Sequence, residues 1–452
     1  MLVQNATPDH VRTELPRLFT KANLERDTIA RRIGALLEWR RRGGFELVRI
    51  ENDTPTKAEI EIRFPVTDDH WRLHVIQDPE KPLQIDELLM GRAPLPTLTE
   101  DRKDEAIADE FIAYIDHLDR HELFSGAVLI ARHGKILGTR AAGLASREHD
   151  IPNTVSTMFN VASLVKPWTA VAIAKLVENG QLSFSDPLKR YVDTVEARIE
   201  IRHLLSHTSG LGDYFGDAFN RLSKDRVRDI DDFLALTDSF TPAFQPGSDW
   251  RYSNVGMLLL GKVIERVFCK PFHEAIRQLV FDPAGMNTAC FPHLDEVNRG
   301  YASGYGYKWT CNGPVAINAL HSWAVRGSAD GCAFATLNDI WEFSEALRQG
   351  RLVSKETLDI ITTAKPELGS YDYGYGFALL PERAVIGHSG GLIGASANWD
   401  MINDPEGWTV IVLANDLSMR TPVMKARQLI GVQVQERDDA KTQMPRAGLT
   451  AR

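Results

Sequence analysis

Apolar residues return every three or four positions through 8–22 and 24–41. Ile29, Ile33, Leu36 and Leu37 fall on one face, which predicts two amphipathic helices. Gly43-Gly44 stops the second. The spacing then changes to every second residue in Phe45–Ile50, Ala58–Phe64 and Trp71–Ile76. Turn residues such as Asn52-Asp53 and Asp68-Asp69 bound these runs and predict an antiparallel meander. Residues 1–97 therefore read as a small α+β accessory unit, cystatin-like or NTF2-like in outline. Met90–Asp101, with Pro94 and Pro96, reads as connecting chain, and 98–104 as the linker proper.

From there to about residue 440 the pattern describes a second unit. A helix is predicted over 103–120, then a hairpin of Gly126–Arg132 and Lys135–Ala142 around His133-Gly134. A helix opens near Ser163 and ends at Asn179-Gly180. Residues 180–350 read as a mostly helical subdomain with long loops. Strands return at Gly374–Leu380, Ala395–Met401 and Trp408–Leu413, the last two joined by Asn403–Gly407, and a helix over 420–433 follows. Early and late strands around a helical middle predict an α+β fold, with one antiparallel sheet built from both ends of the unit and flanked by helices.

Composition narrows the function classes. The chain has 452 residues and a net charge of −9, which argues against general nucleic-acid binding. The basic run Arg40–Arg42 closes a helix and reads as a solvated end. No apolar run approaches the roughly 20 residues of a membrane span. The N-terminus lacks the apolar core of a leader peptide, so the chain reads as cytoplasmic, or as periplasmic or secreted had a leader been removed. Cys269, Cys290, Cys311 and Cys332 form no CxxC pair and read as buried free thiols. His203 and His207 lie four apart, but no third ligand accompanies them and both read as structural.

Candidate chemistry begins at Ser163 and Lys166, three apart at a predicted helix start and so on one face. Free N–H groups and partial positive charge at a helix N-terminus favour an alkoxide on Ser163 and an amine form of Lys166 able to accept its proton. One such Ser-x-x-Lys is expected by chance in a chain of this length, where the serine would merely cap the helix. Arg251-Tyr252-Ser253-Asn254 adds a phenol fit for proton transfer, and an amide that could bridge Lys166 and a substrate carbonyl. Gly387-His388-Ser389-Gly390-Gly391 precedes a predicted strand and offers backbone N–H groups to a carbonyl oxygen. Gly387-x-Ser389-x-Gly391 also matches the nucleophile elbow of α/β-hydrolases. That elbow needs a following helix and a later histidine; no histidine follows His388, and the next segment is strand-like.

Taken in order, Ser-x-x-Lys, Tyr-x-Asn and His-x-Gly resemble the serine β-lactamase/penicillin-binding-protein superfamily over residues 105–435. The resemblance is greatest to the branch of class C β-lactamases, DD-carboxypeptidases, D-aminopeptidases and β-lactamase-like esterases. Phe124–Ile130, Leu204–Leu211 and Ser328–Ile340 support it. The resemblance implies that Ser163 is acylated while Lys166 and Tyr252 handle protons. Asn254 would orient Lys166 and the acyl side chain, and the N–H groups of Ser163 and Gly391 would form an oxyanion hole. His388, Ser389, Gly390 and Gly391 would line the substrate strand. It implies no metal and no cofactor.

His388 stands where many relatives carry a lysine that attracts a substrate carboxylate. An uncharged imidazole there predicts an esterase- or peptidase-like hydrolase with little β-lactamase activity. The expected partner is a small ester, amide or peptide. An acyltransferase using the same acyl-enzyme and a non-catalytic scaffold are the two other readings. The exposed strand edges of residues 1–97 suggest a homo-oligomer.

Overall fold

The computed structural model of the protein describes residues 8–26, 32, 39, 42–51, 54, 56–93, 102–193, 195, 198–310, 313–380, 385–402 and 407–432. At the N-terminal end, helices α1 (Pro8–Leu18) and α2 (Lys21–Arg26) precede four strands, β1 (Glu46–Glu51), β2 (Lys57–Phe64), β3 (Asp69–Asp78) and β4 (Lys81–Arg92). The strands form a meander in the order β1-β2-β3-β4. The single helix expected over 8–22 is thus two. Phe19 and Thr20 leave the helix to pair with Ile85, and the Thr20 hydroxyl then accepts the Asn23 N–H at 3.2 Å, capping α2. Most of the helix expected over 24–41 lies outside the described residues. β4 was not foreseen, because its Leu88-Leu89-Met90 run breaks the alternation of a half-buried strand. It takes Met90–Arg92 out of the expected connecting segment, the rest of which is largely undescribed.

The second unit runs through α3 (Asp104–Arg120), the hairpin β5 (Gly126–Arg132) and β6 (Lys135–Ala142), and two long helices, α4 (Val165–Glu178) and α5 (Asn254–Phe268). A hairpin, β7 (Tyr305–Thr310) and β8 (Gly313–Asn318), follows in the expected helical middle. The chain ends on β9 (Ala378–Leu380), β10 (Val385–Leu392), β11 (Ala395–Ile402), β12 (Trp408–Ala414) and α6 (Arg420–Ile430). The six-stranded sheet has the order β9-β10-β11-β12-β5-β6, antiparallel throughout, so the two ends of the unit meet where β12 pairs with β5. Alternation assigns its faces. Ala127, Leu129, Ile411 and Leu413 join the large core around α4, whereas Val128, Ile130, Val410 and Val412 pack under Phe111, Ile115, Val423 and Leu429 of α3 and α6. A sheet buried on both faces reads as a continuous apolar run, as β12 does. Arg427 clamps α6 to the sheet through a bidentate pair with buried Asp400 at 2.8 and 2.9 Å.

Two expectations near the sheet are corrected. Of Gly374–Leu380 only Ala378–Leu380 is strand. Gly376, at φ +80, lies so close to α4 that a Cβ would stand 2.3 Å from that of Ala170. Gly387–Gly391 does not precede a strand but is itself part of β10, with Gly387 opposite Asp400 and Gly391 opposite Ser396. Cys290 and Cys332 are half-buried and Cys269 is exposed, against the expectation of buried thiols; Cys311 is undescribed. The turn Pro65–Asp68 and neighbouring Asp69 meet the α3/α6 layer: His117 Nε2 donates to Val66 O at 2.8 Å, and the Thr421 hydroxyl to Asp69 at 3.2 Å. That layer is opposite the one holding α4. Among the described residues no helix is long and apolar enough to cross a membrane.

Candidate active site

α4 is apolar almost all round and runs through the core, with Trp168 packed edge-on against Phe281 and Phe343. Lys166 is therefore an anomaly, a fully buried lysine. Its Nζ lies 3.0 Å from Ser163 Oγ, donates to Asp330 O at 2.5 Å, and sits 4.9 Å from the centre of the Tyr252 ring. Ser163 is half-buried in a 3₁₀ turn, Ala162–Leu164, that leads into α4. The turn is pinned from several sides. The Ala162 N–H donates to Asn160 Oδ1 at 2.9 Å, Cys332 N–H to Ala162 O at 3.1 Å, and Val161 N–H to Ala333 O at 2.9 Å. Ala162 takes φ +48, a left-handed conformation unfavourable for a residue with a Cβ and held here by those bonds.

β10 passes directly over this turn. A Cβ on Gly390 would stand 2.6 Å from both Ser163 N and Val161 O, whereas one on Gly391 would meet nothing within 4 Å. The strand thus lies against the Ser163 turn at one glycine and is open at the next. Beyond Gly387 the outer edge of β10 is no longer paired with β9.

Tyr252 stands beside the pair without bonding to it. Its hydroxyl is buried and has no hydrogen-bond partner among the described residues, and its ring lies 4.4 Å from that of His207 and 6.5 Å from that of His388. Asn254 opens α5, which is capped by the Ser253 hydroxyl accepting the Gly256 N–H at 3.0 Å. Its amide does not reach Lys166; Nδ2 donates to Asp213 Oδ2 at 2.8 Å. His388 likewise departs from expectation. Nδ1 donates to Ser389 O at 2.6 Å, so Nε2 accepts the Tyr373 hydroxyl at 2.8 Å, and both ring nitrogens are spent within the chain. Ser389 is half-buried on β10.

Several groups around the site escaped sequence reasoning. Asp330 accepts the Tyr214 hydroxyl at 2.8 Å, and Asp213 accepts the Tyr214 and Phe215 N–H groups. Burial raises both carboxyls above the usual range while Lys166 pulls them back. His207 accepts the Ser253 N–H at 3.3 Å. Asp330 and His207 lie in the stretches Ser328–Ile340 and Leu204–Leu211, so the signal was present but read as scaffold. Asp213 lies two residues beyond the second, and only its closeness in space to Asn254 marks it. His203 accepts the Glu200 N–H at 3.1 Å as part of a helix cap. Among the described residues no group of three His, Cys, Asp or Glu side chains is placed to hold a metal.

Burial and nearby Lys166 push His388 down to about 3, and burial pushes His273 down to about 4; His207 is also driven well below its ordinary value. Each folded value lies below the unfolded one near 6.5, so the unfolded chain takes up protons that the folded chain refuses. Their stabilising contribution is complete above pH 6.5 and falls away toward pH 3. Between pH 6.5 and 5, each is expected to remove up to about 2 kcal/mol of stability, partly offset where the raised Asp213 and Asp330 carboxyls take up protons in the fold. Urea unfolding at pH 7.5, 6 and 5 measures this. A flat profile would contradict neutral imidazoles in the fold.

Comparison with known proteins came to the same region. The pattern of the Beta-lactamase family matches residues 110–435. The chain is 31% identical over 334 residues to Penicillin-binding protein 4* of Bacillus subtilis, covering 69% of this chain and 73% of that protein. It is 37% identical over 204 residues to Esterase EstB of Burkholderia gladioli, covering 41% of this chain and 52%, about half, of EstB. The crystal structure of a penicillin binding protein from Bacillus halodurans superposes with a TM-score of 0.64 at 30% identity, covering 69% of this chain and 98% of that one.

Proposed function

The chain belongs to the beta-lactamase family, and on that footing we propose that it is a serine hydrolase cleaving an ester or amide through an acyl-Ser163 intermediate. The observation that carries this reading is the 3.0 Å approach of Lys166 Nζ to Ser163 Oγ at the start of a largely apolar helix. Lys166 in its amine form takes the hydroxyl proton as Ser163 Oγ attacks the substrate carbonyl carbon. The carbonyl oxygen gathers charge facing the N–H groups of Ser163 and Gly391, which act as the oxyanion donors. Collapse breaks the bond to the leaving group, which departs with a proton from Tyr252 or Lys166. Water then adds to the acyl-serine by the same route in reverse, releasing the acid.

Substrate contact along β10 falls to Ser389, Gly390 and Gly391, because His388 is committed to Tyr373 and Ser389. A neutral imidazole offers no charge to a carboxylate, which favours esters and amides over β-lactams. EstB, similar over part of its length, is named an esterase.

Incubation with a fluorophosphonate, read by intact mass and peptide mapping, together with a nitrophenyl-ester assay, tests the proposal. The expected result is one adduct on Ser163 and loss of turnover in step with it. Turnover that survives full labelling, or a label elsewhere, overturns it.

A further inference from the structure

One residue grips the chain on both sides of Tyr252. The carbonyl oxygen of His207 accepts the Arg251 N–H at 2.8 Å, and its ring Nδ1 accepts the Ser253 N–H at 3.3 Å. Between these two bonds the imidazole lies against the phenol itself, with ring centres 4.4 Å apart and planes tilted by 40°. Tyr373 and Trp250 pack around the same imidazole, at 4.7 and 6.0 Å. Tyr252 makes no hydrogen bond through its hydroxyl among the described residues, so nothing at its tip aims the ring. Its direction is set from its base and its face, and His207 contacts both.

This arrangement is costly. His207 is fully buried and takes φ +59, a left-handed conformation unfavourable for a residue with a Cβ. A backbone N–H can only donate, so the Ser253 bond fixes Nδ1 as an acceptor and places the ring hydrogen on Nε2. That Nε2–H is buried and meets no acceptor among the described residues. Burial keeps the ring neutral, so no ion pair compensates. A strained backbone and an orphaned donor at one core residue do not serve packing. Both lie against the phenol whose own hydroxyl is orphaned, beside the Ser163–Lys166 pair.

Resting on the acyl-Ser163 reading, we propose that His207 is a positioning residue: it holds Tyr252 so that the phenol gives its proton to the leaving group during acylation. The phenol O–H breaks as the bond from the acyl carbon to the leaving oxygen breaks, and that oxygen keeps the electron pair and takes the proton. The Lys166 ammonium, which carries the proton taken from Ser163, then restores the phenol.

Methyl and nitrophenyl propionate test this on the full chain, because they share an acyl group and differ in need of a proton. Methoxide is too basic to leave unprotonated, whereas nitrophenolate is not. The ratio of kcat/KM for the methyl ester to that for the nitrophenyl ester therefore reads proton delivery alone. His207→Leu is expected to lower this ratio by about tenfold or more, as Tyr252→Phe does. His207→Asn restores an acceptor for the Ser253 N–H on a residue that tolerates a left-handed φ, and its ratio should fall between those of His207→Leu and wild type. In a Tyr252→Phe background neither His207 substitution should move the ratio further, since a positioning residue acts only through the group it positions. A packing defect would persist there. A folded His207→Leu protein with the wild-type ratio overturns the inference, as does an undiminished effect in the Tyr252→Phe background. So does a Tyr252→Phe protein that loses both esters equally. If neither His207 variant folds, the residue serves the fold first and the assignment is overturned as well. Each of these outcomes, in wild-type protein labelled on Ser163, leaves the hydrolase reading standing. No label and no turnover of either ester overturns the hydrolase reading, and the inference falls with it.

Discussion

Ser163→Ala is expected to lower kcat for a nitrophenyl ester by about 10³-fold or more and to abolish fluorophosphonate labelling. The oxygen removed is the one proposed to form the covalent bond, and among the described residues no other hydroxyl bonds to Lys166. The loss should be in kcat, since a substrate would still meet the open Gly391 edge of β10. The fold should survive. Ser163 is half-buried, Lys166 keeps its bond to Asp330 O, and the bonds that pin the turn run through backbone atoms and Asn160. A change in stability of about 1 kcal/mol or less is expected, the net worth of one hydrogen bond. Equal kcat in both proteins, with equal melting temperatures, would remove Ser163 from the chemistry.

Gly390→Ala should be nearly as damaging to activity, although it adds one methyl group and removes no functional atom. That methyl would stand 2.6 Å from Ser163 N and Val161 O and 2.9 Å from Ala162 Cβ. Contacts this short force β10 and the Ser163 turn apart by about 1 Å, and a misplacement of that size can cost about 10²-fold in rate. Stability should fall by about 1–3 kcal/mol, as for other overpacked sites. Gly391→Ala is the control for folding, because a Cβ there meets nothing within 4 Å, and it should shift stability by no more than about 0.5 kcal/mol. Thermal melts and kcat on the two proteins check this. A Gly390→Ala protein with unchanged kcat would mean that β10 does not define the position of the Ser163 turn.

Legibility varied with the range of the interaction. The hairpin Gly126–Arg132 and Lys135–Ala142 was readable to the residue, because alternation and a His133-Gly134 turn are local. The helix behind Ser163 was readable because α4 ends at an Asn-Gly signal. β4 and the hairpin β7–β8 were not, since neither carries clean alternation. Assigning His388 to a position ahead of a strand failed for the same reason: its three glycine neighbours hide the strand, and only pairing with Asp400, Trp399 and Ser396 reveals it.

The chain's sequence alone carried the ordered motifs of Ser163, Lys166, Tyr252 and the His388 segment, and with them the family and its α+β fold, because residue type and short spacing on helices are local quantities. Tertiary structure decided how those groups are used. It spends both nitrogens of His388 on Tyr373 and Ser389, turns Asn254 onto Asp213, brings Asp330 O to Lys166 and lays Gly390 against the N–H of Ser163. Apart from the contact of His388 with adjacent Ser389, each of these joins residues from 15 to 164 positions apart, or, for Gly390, strands and turns from opposite ends of the unit. Which of many possible partners a polar group meets is set by how the layers pack, and no local pattern encodes that.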